Sequence, residues 1–397
     1  MIRQVMGSMK LRQVYESLVS LSFNLTGLIA GALLASSHGL FSEFSWAIVL
    51  YPGILSMRGA LGGLFSGRIS TALHLGTIRP TLKDNTKSAY NLLNSIIVLT
   101  LVSSLVMSVL GSVTCLLSGY IGLGSVPRIF VTMVTTMGLS IILISPFTYR
   151  FSVFSFNRGL DPDKLVYPVV STFSDIVITG CYVIVLWSVI RFPVFSLVAH
   201  LAVSAVFCYY AYTKYVESLH DEEFMETIRE FLMTLAVVSL IMAVTGRVMG
   251  SISNKIGDHP GVYLVYPAII DTVGDLGSIV GSTATTKMAL GYIKAELSGI
   301  KDHLTEIVSA WIASLILFIM YGLIAYASFG GDLVVILART VSMNLVMMPI
   351  ISVITFAVAI ETRNHGLDPD NFIIPIETSL SDGLTTLVLF LALTLIG

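Results

Sequence analysis

Charge is scarce in this chain: only 12 % of its 397 residues are Asp, Glu, Lys or Arg, while 55 % are hydrophobic. A soluble globule carries about twice that share of charge to keep its surface in water, so a soluble fold is excluded. Cysteine is nearly absent too. Cys115, Cys181 and Cys208 each stand in an apolar run with no CxxC or Cys/His spacing, which leaves packing as their role and rules out a thiolate metal site. A net charge of −2 with dispersed Lys and Arg offers no footprint for nucleic acid. The histidines are scattered, and none pairs at the spacing of an imidazole metal site. The opening MIRQVMGSMKLRQVYE is basic and amphipathic, without the short apolar core and small-residue cleavage site of a cleavable leader.

What the chain has is apolar length. Runs near 15–36, 44–75, 92–118, 126–152, 165–190, 193–215, 230–252, 261–288, 305–327, 332–358 and 372–396 each reach the roughly 20 residues that cross a bilayer core as a helix. Only helices or closed barrels satisfy the backbone there, and runs this long without interruption are helices. The fold class is therefore an all-α integral membrane protein of about 11 transmembrane helices.

Two stretches occur twice. Residues 51–78 align without gaps on 266–293 with 10 of 28 positions identical, and 157–179 align on 364–386 with 10 of 23 identical, which places Asp175 on Asp382. Matches of that length at both ends of each half imply two five-helix repeats, residues 1–190 and 230–397. Residues 191–229 remain as a linker helix followed by a cytoplasmic acidic connection. Five spans invert the chain and the sixth restores it, so the repeats are parallel, related by a pseudo-twofold along the membrane normal. Most of the 22 Lys and Arg fall on the side of the N-terminus, which places that terminus in the cytoplasm of a multi-pass cell-membrane protein and the C-terminus outside.

Several carboxylates lie inside these spans, where an ionisable group marks a site by default. In PAIIDTVGDLGS, Asp271 and Asp275 are four residues apart and share one helix face. Their repulsion would be relieved by a bound cation. The matching positions of the first repeat hold Ser56 and Ala60, so the symmetry is broken there, and Arg58 beside them can act as a fixed counter-charge. Arg68 is expected to snorkel to the interface. Asp175 and Asp382 sit two turns after Pro168 and Pro375 among hydroxyls that include Ser171 and Thr378, with Glu377 opposite Val170 as an acid of the second repeat alone. An all-oxygen lining of this kind suits a hard cation that keeps its waters. The GLDPD segments holding Asp161, Asp163, Asp368 and Asp370 read as turn and helix-capping chemistry. The acidic run HDEEFMETIRE reads as a solvated connection.

The helix running from Pro52 through Gly59-Ala60 to Thr71, its copy from Pro267 through Gly274-Asp275 to Thr286, the Asp-Pro loops leading to Asp175 and Asp382, and the five-plus-one-plus-five order resemble the MgtE-type magnesium channels, and more closely the fused solute carrier 41 family. The resemblance implies a divalent-cation pathway between the halves, magnesium first. It gives Asp175 and Asp382 the role of the family's ion-binding aspartate of the fifth helix, and Asp275 the polar position after Gly in the second. Ala60 departs from that pattern. The sensor domains of bacterial MgtE have no counterpart in these residues, so gating by them is not expected.

The expected function is transport of Mg²⁺ or a similar divalent metal across the membrane, with Na⁺ or H⁺ as a conceivable coupling ion and one fused chain sufficient for one pathway. The expected partners are the metal ion and the lipid bilayer, and the protein is not an enzyme. Two other readings stand beside it. Paired membrane aspartates also serve intramembrane aspartyl proteases, but Thr272 stands where their G-x-G-D signature needs its first glycine. A membrane scaffold with structural aspartates would lose folding, not flux, on their removal.

Overall fold

The computed structural model describes residues 2–158, 162–256, 260–289, 291–365 and 369–396. Among them the helices run α1 (Ile2–Ser22), α2 (Gly27–Ser36), α3 (His38–Glu43), α4 (Ser45–Leu75), α5 (Lys87–Leu117), α6 (Val126–Asn157), α7 (Pro162–Arg191), α8 (Pro193–Ser218), α9 (Glu222–Ile256), α10 (Gly261–Ala289), α11 (Leu304–Phe329), α12 (Leu333–His365) and α13 (Pro369–Leu395), with no strand. Eleven segments of the described residues are long and apolar enough to cross a membrane, the number read from the apolar runs. The membrane assignment and the all-α class follow directly.

Local chemistry shapes individual spans. The first is broken into α1 and α2 by a 3-10 turn at Phe23–Thr26, where the hydroxyls of Ser22 and Thr26 each donate at 2.7 Å to the carbonyl three residues back. Such side-chain bonds compete with the helical ladder and bend it. Pro52 in α4, Pro146 in α6, Pro267 in α10 and Pro349 in α12 each remove an internal helix bond. Near the first of these breaks, the Tyr182 hydroxyl donates to the Ala47 carbonyl at 2.8 Å. α4 ends on Gly76, whose φ of 72° is the left-handed cap that glycine adopts without strain.

The chain divides into two compact units, Ser36–Asn254 and Met1–Ala35 with Lys255–Gly397. In the first, α4 touches α5, α6 and α7, while α8 lies along α5, α6 and α7. α9 joins this unit through glycines: a Cβ on Gly246 would stand 2.5 Å from the Val49 carbonyl oxygen of α4. In the second unit α10 touches α11, α12 and α13, and α1 lies on α11. Here Gly31 of α2 presses so closely on α10 that a Cβ would overlap the Leu264 carbonyl. Small residues that let backbones approach are how helices associate in lipid, where apolar side chains gain nothing by leaving the solvent. The compact units therefore divide the chain differently from the two repeats expected from the sequence, each grouping the expected first span of one with later spans of the other.

α4 and α10 are the enclosed helices: 94 % and 89 % of their membrane windows are buried, against 28 % for α8, which leaves α8 mostly to the lipid. Arg68 of α4 does not simply reach for the interface. Its guanidinium donates to Glu230 at 2.7 Å and to Thr227 at 2.8 Å, both on α9, so the expected snorkelling arginine is a staple between two helices of one unit. The start of α9 is held by Lys87, 2.8 Å from Asp221. The hydrogen bond from Lys87 is the main cause that keeps the Asp221 carboxyl below its ordinary pKa. The pair's contribution is thus present above the unfolded value and is lost on acidification.

Candidate metal-ion site

On α7, Ser171, Asp175, Thr179 and Tyr182 follow one another at helical spacing and form one polar stripe. The stripe meets α4. Tyr51 and Thr179 share a hydroxyl hydrogen bond of 2.9 Å, Arg58 Nη1 donates to Ser171 Oγ at 3.1 Å, and Arg58 Nη2 donates to Asp175 Oδ1. Both charges are withdrawn from solvent, with side-chain exposures of 7 % for Arg58 and 1 % for Asp175. Ser56, one turn before the Ala60 position, is also buried.

The second repeat has the same stripe, Thr378, Asp382 and Thr386 on α13, and it meets α10 in the same way. Tyr266 and Thr386 share a hydroxyl bond of 2.9 Å, the counterpart of Tyr51 with Thr179. Gly274 brings α10 onto α13: a Cβ there would be 3.5 Å from Ser381 Oγ and 3.9 Å from Thr378 Cγ2. Asp271, Asp275, Thr378 and Asp382 are all buried. Between the two aspartates of α10, Thr272 donates to the Ala268 carbonyl at 2.7 Å and shares a 2.8 Å bond with the Tyr321 hydroxyl of α11. The side chain of Glu377 lies outside the described residues.

Each expected site residue with a described side chain is thus buried, but the helix pairs α4–α7 and α10–α13 differ in charge. Val273 stands where the first repeat has Arg58, and Asp271 and Asp275 stand where it has Ser56 and Ala60. α13 contains no Lys or Arg, and α10 has none before Lys287, three turns beyond Asp275. Among the described residues no three His, Cys, Asp or Glu side chains gather closely enough to form a bare coordination shell.

Two features escaped the sequence reading. The Tyr–Thr bonds had a signal that was not used: Tyr51/Tyr266 and Thr179/Thr386 are identical in the aligned repeats. Tyr51→Phe and Tyr266→Phe are each expected to lower stability by about 1 kcal/mol, the ordinary worth of a buried hydroxyl bond. Thermal unfolding of the two variants checks this, and a drop in only one would break their equivalence. The other feature is a polar cluster where α1, α10 and α11 meet. Glu306 accepts from Lys287 at 2.7 Å and from Gln13 at 3.3 Å, while fully buried His303 stands 3.1 Å from the Val280 carbonyl. Spacing in sequence gave no signal for it, since its members come from α1, α10, α11 and the 3-10 turn that precedes α11.

The family model described as MgtE, divalent cation transporter, matches residues 51–185 and again residues 266–392. No solved structure gives a significant match. The two matched regions contain α5, α6, α11 and α12 whole, most of α4, α7, α10 and α13, both polar stripes and more than half of the chain. A membrane protein that carries this signature twice is a transporter and not an enzyme: the chain belongs to the MgtE family of divalent cation transporters.

Proposed function

We propose that the protein carries Mg²⁺ across the membrane, with Asp382, Asp271 and Asp275 as the groups that attract the ion, and Thr378, Ser56 and Glu377 contributing oxygen. The observation that carries this reading is the burial of Asp271, Asp275 and Asp382 on helices of the region that matches the divalent cation transporter family. A carboxylate at membrane depth is costly unless a cation or a proton compensates it, and a mobile cation does so while it passes. Hydroxyl and carboxylate oxygens without thiolate or imidazole favour magnesium over softer metals. Parallel fused repeats supply both copies of the second and fifth helices from one chain, so a single chain forms one pathway. The Lys and Arg bias supports a cytoplasmic N-terminus and an outward C-terminus.

The test is flux. Purified protein in liposomes loaded with a magnesium-sensitive dye is expected to admit Mg²⁺ at a rate proportional to protein content, and protein-free liposomes are not. Parallel samples with an opposed Na⁺ gradient or a pH gradient decide coupling: a rate that follows either gradient makes the protein an exchanger, and a rate indifferent to both makes it a uniporter. Absence of flux for Mg²⁺, Mn²⁺ and Co²⁺ alike would sink the proposal.

A further inference from the structure

The fifth-helix acid of the first repeat already has a cation, and that cation is part of the chain. Arg58 reaches from α4 to α7, where one guanidinium nitrogen pairs with Asp175 and another donates to Ser171 at 3.1 Å. Ser171 and Asp175 are the two oxygen-bearing groups that the repeat alignment sets against Thr378 and Asp382. Both belong to the set expected to face a transported ion, and both are engaged by one side chain. The exchange is specific to this half, because the position equivalent to Arg58 in the second repeat is Val273, which cannot play that part.

We propose that Arg58 is a tethered cation that occupies the ion position of the first repeat, so that Asp175 and Ser171 bind no mobile divalent ion and the number of ions held by the fifth-helix acids is one and not two. The proposal rests on the cation-transport reading of Asp382 and specifies how the fused chain departs from a symmetric pathway. Guanidinium chemistry fits the task. It stays charged at any pH the protein meets, it offers several donors in a fixed fork that matches a carboxylate and a neighbouring hydroxyl, and its weak hydration suits a buried place. A lysine would shed its proton more readily on burial. The arginine therefore sets a permanent charge of +1 at one half of the pathway, where a bound Mg²⁺ would set +2. That leaves the second repeat to select the ion.

The experiment counts bound ions. Mn²⁺ is titrated as a paramagnetic probe, and Mg²⁺ by calorimetry, into the full chain in lipid nanodiscs for wild type, Arg58→Gln, and Arg58→Gln/Asp175→Asn. Glutamine can still bond Ser171 but brings no charge. Arg58→Gln is expected to bind one ion per chain more than wild type, and the double variant is expected to return to the wild-type count. Folded Arg58→Gln with an unchanged count overturns the proposal. So does a double variant that binds one ion fewer than wild type, since Asp175 would then have held a mobile ion beside Arg58. If Arg58→Gln fails to fold at every Mg²⁺ concentration, the double variant decides alone, because it carries no uncompensated charge at this pair. Failure of the transport reading is separate: it shows as absent flux in wild-type liposomes, whereas the difference between the single and double variants reports on Asp175 whatever the flux.

Discussion

Asp382→Asn is expected to yield a folded, membrane-inserted protein whose Mg²⁺ flux is lower by about a hundredfold or more. The substitution keeps the shape of a buried side chain and removes its charge. At an effective dielectric near 20, a unit charge about 4 Å from an ion contributes about 4 kcal/mol, and every 1.4 kcal/mol is a factor of ten. The equivalent substitution in the first repeat should end differently. Asp175→Asn takes the carboxylate out of the buried pair with Arg58, and removing one member of such a pair costs about 3–5 kcal/mol because the other charge stays buried. The two variants thus separate the aspartates by their roles: one loses flux with its melting temperature nearly intact, the other loses stability first. Flux assays and thermal unfolding on the same preparations check both. Equal loss of flux in two equally stable variants would restore the symmetric site and remove the asymmetry argued here.

Gly31→Ala is expected to destabilise the unit formed by residues 255–397 and the first span by about 1–3 kcal/mol or more, a large effect for one methyl group. The added Cβ would overlap the Leu264 carbonyl. That atom belongs to the backbone of an enclosed helix, so no rotamer change relieves the clash, and α2 must move away from α10. Gly246→Ala meets the Val49 carbonyl at 2.5 Å and should behave alike in the other unit. Gly39→Ala is the contrast. It lies in α3 with nothing within 4 Å of its Cβ position, and alanine favours a helix, so it should be neutral or mildly stabilising. A Gly31→Ala protein that melts with the wild type would mean that α2 does not pack against α10 as described.

Much of the architecture was legible because lipid imposes a simple rule on sequence. An apolar run of some twenty residues can only be a helix there, and all eleven runs are matched by spans in the structure. The buried aspartates were legible for the complementary reason, that a charge in such a run stands out. What could not be read was which helix lies on which. Leu is as comfortable against lipid as against protein, so an apolar face carries no address, and the grouping of the first span with residues 255–397 rests on glycine contacts such as Gly31 on Leu264. The partners of the arginines were hidden as well. Arg58 and Asp175 are far apart in sequence, and a long side chain on a helix sweeps several neighbouring faces, so its charge alone could not say whether it met a carboxylate, an ion path or the interface. Arg68 shows the same limit, having gone to Glu230 of α9 and not to the interface alone.

The measurement that bears most directly on the account is the location of a bound divalent ion inside the membrane region. Crystals of the protein soaked in Mn²⁺, with diffraction recorded at the manganese absorption edge, are expected to show an anomalous peak beside Asp382 on the side of α10 that bears Asp271 and Asp275, and none between Arg58 and Asp175. Manganese bound only at the exposed acids of the α8–α9 connection, or a peak at Asp175 with none at Asp382, would contradict it.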